Sequence, residues 1–582
     1  MNAKVLAPSK RRLRHVALGL MVILGISWSG RAAQNPIPLV NLPLVPDHAL
    51  PGGPAFTLTV NGTGFVSGAQ VNWNGSARET QFISSSQLTA TIEATDVATA
   101  GTASVTVTNP GPGGGTSNVA FFAITETTAS VAFSSSSVTT GVGPAAIVAA
   151  DFNRDGKLDL ATANGGDNSV SILLGNGDGT FQAHVDYPTS AGPTTILTGD
   201  FNHDGKLDLV AGSSILLGNG DGTFQPLTSV AITGSVAADF NGDGNLDLAA
   251  TVQSDTTGTS TISVALGKGD GTFQAPVSSA SPVQMFGSGT LSATAGDFNG
   301  DGKLDIAVTS GFIDGQDYGS LFVLLGNGDG TFQAGRLVAG LGVAGIPQFF
   351  NPIWVGLGDL NGDGKLDLAM TSCYTRDIVA ALYPVLLGND DGTFSVATGG
   401  PSSVDAACPN SGAIGDLNSD GRLDLVAVNP PMFPEFPGPD DNTVSVLLGN
   451  GDGSLQTPVE FPTGSYPYSV TVGDFNNDGG LDLAVANWMD NTVSILLRQP
   501  TPPVPIVLSV AALQFGNTNV GSSSAAEAVT LTNTSGMPVT VTRISATGDF
   551  SQTNNCGGSL GSAVSCTVSV TFTPTASGHD LV

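Results

Sequence analysis

The residues best suited to chemistry in this sequence are acids. One decapeptide, Asp-x-Asn-x-Asp-Gly-x-x-Asp-(Leu/Ile), occurs seven times, starting at Asp151, Asp200, Asp239, Asp297, Asp359, Asp416 and Asp474. Positions 1, 3, 5 and 9 are Asp151, Asn153, Asp155 and Asp159 in the first copy, and Asp200, Asn202, Asp204 and Asp208 in the second. They are Asp239, Asn241, Asp243 and Asp247 in the third, and Asp297, Asn299, Asp301 and Asp305 in the fourth. The fifth has Asp359, Asn361, Asp363 and Asp367; the sixth Asp416, Asn418, Asp420 and Asp424; the seventh Asp474, Asn476, Asp478 and Asp482. Each copy offers three carboxylates, an amide oxygen and a backbone carbonyl at position 7, with Gly at 6 for a sharp turn. Hard oxygen ligands at this density suit Ca²⁺ rather than zinc or copper. Carboxylates this close repel one another without a cation, so up to seven structural Ca²⁺ ions are expected. The spacing copies the first half of an EF-hand loop but lacks its Glu at position 12 and its helices, which excludes an EF-hand. The seventh copy has Gly480 at the carbonyl position; His203, at position 4 of the second, reads as an exposed loop residue.

A second motif indicates what positions these loops. After six of the seven comes an apolar run such as Val170–Leu174, then Gly-Asn-Gly-Asp-Gly-Thr-Phe or a close variant, ending at Phe181, Phe224, Phe273, Phe332, Phe394 and, in the sixth copy, Leu455. Asn-Gly and Asp-Gly between β-rich runs signal hairpins. No Gly-Lys-Ser/Thr follows Gly175–Thr180, so a phosphate loop is rejected. The first unit reads as four strands: Ala145–Phe152, Leu158–Thr162, Ser169–Leu174 and Phe181–Tyr187. The decapeptides recur every 39 to 62 residues, a spacing that points to a propeller or an array. The seventh unit lacks the second motif, while Ser130–Phe133 resembles the strand that follows it elsewhere. This N-terminal strand is expected to complete the last blade and close the ring, which would leave no end strand unpaired. The fold class expected is all-β: a seven-bladed β-propeller, flanked by two β-sandwiches that the resemblances given next make immunoglobulin-like.

Residues 130–498, on these motifs, resemble the FG-GAP, or VCBS, repeat family, the propeller type of integrin α-chains and many secreted bacterial proteins. The resemblance implies calcium loops with a supporting role on one face and partners on the other. Neither an integrin-type inserted domain nor Arg-Gly-Asp is present. In residues 35–125 the runs Phe56–Phe65, Val71–Gly75, Leu88–Ile92 and Ser104–Pro110 alternate like strands of a small sandwich, and resemble an IPT/TIG immunoglobulin-like domain. Residues 499–506 form a Pro-rich spacer. In 507–582, Leu513–Gly516, Val529–Asn533 and Val568–Pro574 resemble a Hydin-type (choice-of-anchor D) immunoglobulin-like domain. The chain stops where that family adds its last strands, which leaves open a truncated sandwich or one completed by another element.

Composition fits export. Residues 1–32 have a basic start (Lys4, Lys10, Arg11, Arg12, Arg14), an apolar run from Val16 to Trp28 and a small-residue cut after Ala32, the pattern of a secretory signal peptide. The run is too short to span a bilayer, and no membrane span is expected after cleavage. The mature chain would carry net charge −36, or −22 with seven divalent ions bound. Such acidity excludes nucleic acid as a partner. Five scattered His and no CxxC pair leave little for zinc or His-based catalysis. His184 and His203 are not spaced as part of a nucleophile–base pair, and the propeller's only Glu are Glu435 and Glu460. Four Cys suit two disulfides: Cys556–Cys566 across a hairpin, and Cys373–Cys408 between loops sharing a face.

Alternate loops of an up-and-down blade share a face, so the Asp loops and the Gly-rich turns lie together. The opposite face gathers the variable loops, with Tyr318, Phe349, Phe350, Tyr374, Arg376, Phe433, Phe436, Tyr466, Tyr468 and Trp488. Such clustering in a chain with 6% aromatics suggests a recognition surface, the other reading being packing over the central channel. The expected function is secreted, calcium-binding and non-catalytic recognition or adhesion towards an extracellular protein or glycan, with the sandwiches as spacers or secondary contacts. A scaffold, or an enzyme acting on polysaccharide, is the alternative.

Overall fold

A computed structural model describes residues 34–582 apart from residue 129 and segments 254–259, 280–289, 311–318, 340–349, 375–379, 398–407, 432–441, 500–505, 510–512, 514, 517, 534–538, 542–543, 545, 547, 562–563 and 576–582. The expected signal peptide, Tyr318, Phe349, Arg376, Phe433, Glu435, Phe436 and most of the Pro-rich spacer lie outside the described residues, as do the side chains of Phe350 and Tyr374.

The described chain is all-β. Seven antiparallel sheets, each built round one decapeptide, have four strands in hydrogen-bonded order; the fifth adds a short extra strand, Ala380–Leu382. In the first, the strands are Pro144–Ala150, Asp159–Asn164, Ser169–Leu173 and Val185–Pro188. The strands that lead into the Asp loops lie side by side from sheet to sheet, and Pro467–Gly473 of the last touches Pro144–Ala150 of the first. They line the axis of a propeller. The next two strands are buried on both faces and read as continuous apolar runs, such as Asp482–Asn487 and Thr443–Leu447. The closing strand is Phe133–Thr139, which pairs along its length with Thr492–Arg498. It starts three residues later than the expected Ser130.

Neighbouring blades are joined by one repeated lock. The last Gly of each Gly-rich turn donates its N–H to the carbonyl of loop position 2 in the preceding blade: Gly222 to Phe152, Gly271 to Phe201, Gly330 to Phe240, Gly392 to Phe298, Gly453 to Leu360, and Gly179 to Phe475 across the ring closure. The turn's aromatic then packs edge-on against the same loop residue. Phe224 meets Phe152, Phe273 meets Phe201, Phe332 meets Phe240, Phe394 meets Phe298 and Phe181 meets Phe475, with ring centroids 5.5–6.0 Å apart. Where the turn ends in Leu455, its loop partner is Leu360, in one shared core. The seventh blade has no such turn. Buried Arg498 takes its place, donating to Ser419 Oγ and to the carbonyl of Asn418.

The N-terminal sandwich packs two sheets about Leu58, Val60, Trp73, Leu88, Val105 and Phe122. It is more than a spacer, because it sits on the Asp-loop side of the ring. Ile37 N–H donates to Asp239 Oδ2 at 2.9 Å and the Leu42 carbonyl accepts from Asp359 N–H. Leu39, Leu42 and Phe121 pack against blade cores. Leu39 and Leu42 lie in and beside a two-residue edge strand, too short for periodicity to signal an interface, and Phe121 sits in Ala120–Ile124 between two other strands of the sandwich. A cavity of about 520 Å³ lies between this sandwich and the first three blades. The C-terminal domain has a four-stranded sheet and a two-stranded one. Its core holds the Cys556–Cys566 disulfide. Cys373 and Cys408 also bridge, although Cys373 ends a strand, Asp367–Tyr374, rather than lying in a loop.

Truncating Phe332 to Ala empties a buried ring from an inter-blade lock and is expected to cost about 3–5 kcal/mol. Phe332→Leu, which imitates Leu455, should cost less than half of that. Thermal and urea melts of the two variants check both.

Candidate cation loops and the aromatic face

Each Asp loop wraps its own backbone. Asp151 Oδ1 accepts from Asp155 N–H and Oδ2 from Gly156 N–H; Asn153 Oδ1 also accepts from Asp155 N–H, and Asp155 Oδ1 from Lys157 N–H. The same bonds recur in the other copies, with Gly480 N–H donating to Asp478 Oδ1 in the seventh. Two residues per loop are left-handed. Gly at position 6 has φ of 75–90° throughout, as its motif requires. Position 4 is left-handed too, as Arg154, His203, Gly242, Gly300, Gly362, Ser419 or Asn477. Three Gly and one Asn there were a readable signal of this.

Side chains at position 4 reach the next blade. Arg154 donates to the Gly205 carbonyl, His203 Nε2 lies 2.9 Å from Asn245 Oδ1, and Ser419 accepts from Arg498. His203 is thus a bridge between loops as well as a surface residue.

Position 9 stands apart. Asp159, Asp208, Asp247, Asp305, Asp367, Asp424 and Asp482 are wholly inaccessible. Asp159 Oδ2 accepts from Phe152 N–H, inside the loop, and Oδ1 from Gly175 N–H, where the Gly-rich motif begins. The other copies repeat this pair, with Arg498 N–H donating in place of Gly in the seventh. These carboxylates therefore organise the blade, and each oxygen keeps spare acceptor capacity towards a cation. Burial is the main influence on them, resisted by the two N–H bonds and reinforced by the acids at positions 1 and 5. It pushes Asp159 and Asp367 up to about 6, Asp208, Asp305 and Asp424 to about 7, and Asp247 and Asp482 to about 8. The donor set is all hard oxygen, and in five loops a partly exposed Lys or Arg at position 7 lies 3.1–3.8 Å from the acid at position 5. The loops fit a divalent cation of the calcium kind.

At the other end of the blades, Trp488, Tyr468 and Tyr466 form a strip, with ring centroids 5.7 and 6.4 Å apart. Tyr466 has φ 59°, rare for a bulky side chain. The strained backbone is held by Asn442 Oδ1, which accepts from Tyr466 N–H at 2.7 Å, and by Trp488 N–H, which donates to the Tyr466 carbonyl. The indole lies against Gly143 and Gly165, where an added Cβ would come within 3.1–3.2 Å of the ring. Beside it Met489 is 53% exposed. The strip thus draws on blades six, seven and one.

Among the described residues two polar groupings come nearest to a catalytic arrangement. Glu460 accepts from Ser445, Thr443 and Asn429, which ties down both oxygens. Asp186 Oδ1 lies between Ser171 Oγ and His184 Nδ1, so the carboxylate separates hydroxyl from imidazole, the wrong order for a serine nucleophile. Among the described residues no helix is long and apolar enough to cross a membrane.

Comparison with known proteins agrees with this architecture. The chain carries FG-GAP-like repeats at 151–211, 239–308 and 416–485. An IPT/TIG domain covers 44–123, and a domain of the ASPM-SPD-2-Hydin type covers 505–581. No curated protein matches the chain. Similar solved structures include a lectin of Agrocybe aegerita that recognises non-reducing terminal N-acetylglucosamine, at 18% identity and TM-score 0.35, over 67% of this chain and 96% of that one. An auxiliary nutrient binding protein of Bacteroides ovatus is similar at 11% identity and TM-score 0.32, over 80% and 98%. The periplasmic gluconolactonase of Pseudomonas aeruginosa is similar at 16% and 0.33, over 62% and 93%. Likeness at these levels bears on neither ligand nor activity.

The raised position 9 acids give a pH dependence with a definite sign. Their folded values exceed the ordinary 3.8, so their contribution is present below about pH 4 and is lost as pH rises through 6 to 8. With chelator present, the melting temperature should therefore fall from pH 4 to pH 8. Added Ca²⁺ should raise it most at pH 8. A chelated protein equally stable at both pH values would contradict this.

Proposed function

We infer that this FG-GAP-repeat chain is an exported, calcium-stabilised recognition protein, and that its ring binds an extracellular protein or glycan on the face opposite the Asp loops. The observation that carries this reading is the Tyr466–Tyr468–Trp488 strip. A protein pays for a left-handed tyrosine and a glycine-lined seat for an indole only where ring position matters. Flat aromatic faces side by side suit the apolar faces of sugar rings and the side chains of a protein partner. Two disulfides support an oxidising destination. Bound Ca²⁺ would neutralise the acids at positions 1, 5 and 9 and hold each loop in the shape that the inter-blade locks need.

The test is a glycan and extracellular-matrix array probed with residues 33–582, in Ca²⁺ and in chelator. Binding is expected only with Ca²⁺, and Trp488→Ala or Tyr468→Ala should weaken it about ten-fold or more at a temperature where circular dichroism shows each variant still folded. Ligand binding that survives both substitutions would remove the strip from the site.

A further inference from the structure

The sixth Asp loop differs from the others in what faces it. Asp47, just before the edge strand His48–Ala49 of the N-terminal sandwich, reaches into this loop. Ligand atoms of Asp47, His48 and Asp416 all lie within 4.8 Å of one another. Asp47 Oδ1 is 3.1 Å from His48 Nδ1, whereas its Oδ2 is buried and receives no N–H or hydroxyl donor, with the Asp416 carboxyl close enough to Asp47 to share a proton. A Cβ on Gly421, at position 6 of the loop, would be 3.5 Å from Asp47 Oδ1. Asp416 already accepts from Asp420 N–H and Gly421 N–H. Carboxylates from two domains are thus pressed together; His48 pairs with one oxygen of Asp47, and the nearby arginines are engaged elsewhere. Arg498 gives its guanidinium to Ser419, Asn418 and Thr128, and Arg422 reaches Asp420 from the exposed side. The third loop shows the contrast: there the sandwich offers a donor, Ile37 N–H, to Asp239.

We propose that Asp47 is a ligand in trans to a divalent cation, of the Ca²⁺ class, held by the sixth loop, so that occupancy of this one site fastens the N-terminal sandwich to the ring. This rests on the calcium reading of the loops and goes beyond it. The other loops supply their ligands from their own decapeptides, whereas this one is shared between domains and loses a ligand when they part. Asp47 Oδ2 is the atom that would meet the ion. An added carboxylate also raises the charge of the ligand set, one of the factors that tune affinity for calcium.

Native mass spectrometry of residues 33–582 at limiting Ca²⁺ counts retained ions, and spin-label distances between sandwich and ring report docking. For Asp47→Asn, which keeps the side chain's size, we expect one ion fewer than in the wild type and an affinity at that site about ten-fold weaker. We also expect an interdomain distance that broadens on chelation in the wild type and is broad in the variant even at limiting Ca²⁺. Asp416→Asn should remove the same ion, and the double variant should lose no more than one. If Asp47→Asn retains every ion and its docking is unchanged, the trans ligand is refuted while the calcium loops stand. If the wild type retains no ion, the calcium reading itself fails. If Asp47→Asn stabilises the chelated protein without altering ion count, the two acids share a proton and the proposal is overturned.

Discussion

Everything in the ring hangs on a carboxylate that never sees solvent. The Asp at position 9 of each decapeptide holds the second residue of its own loop with one oxygen and the start of the Gly-rich turn, or its substitute, with the other. Two backbone N–H groups donate to the one carboxyl group, one to each oxygen, and they set two segments of a blade at a fixed separation. That separation places the carbonyl of position 2 opposite the turn of the next blade and sets one aromatic ring edge-on to the other. Intra-blade geometry is thereby converted into inter-blade geometry at six of the seven junctions, with Arg498 standing in at the seventh. The cost is charge: burying seven such groups among other acids favours either protons or metal. Cations of the calcium class, as proposed for these loops, would neutralise the charge that the architecture itself concentrates.

Much of this was legible in the sequence because the chemistry is local. A ten-residue motif shows its turn, its acids and its spacing, and Asn-Gly/Asp-Gly dipeptides mark hairpins. Blade count and ring closure followed from noting where a repeat was short of a strand and where a spare strand stood. The substitution of Leu455 for Phe is intelligible only beside Leu360, and that pairing crosses 95 residues and two blades. No local pattern carries it.

What sequence could not supply were contacts between domains. Asp47 and His48 stand in a stretch with no periodicity, and nothing about Val45-Pro46-Asp47-His48 points to a loop near residue 416. Likewise, Arg498 looks like the last residue of an edge strand, yet it is buried because a blade without its turn needs a substitute donor. Position 4 was read by its exposure, whereas its left-handed backbone and reach to the neighbouring blade decide its role. The aromatic residues were found by composition; that three of them line up depends on two glycines in another blade.

The closing strand imposes an order of events on a growing chain. Ser134 meets Gln499 across 365 residues, so the first strand of the propeller region emerges long before its partner exists. For that whole interval it is an unpaired edge, and six blades can stack with nothing to complete the circle. A chain passing through a translocation channel amino end first would present this strand outside while most of the ring was still inside. A chain cut short of Arg498 would leave that seam of backbone donors and acceptors unpaired, an edge of the kind to which a second copy can add.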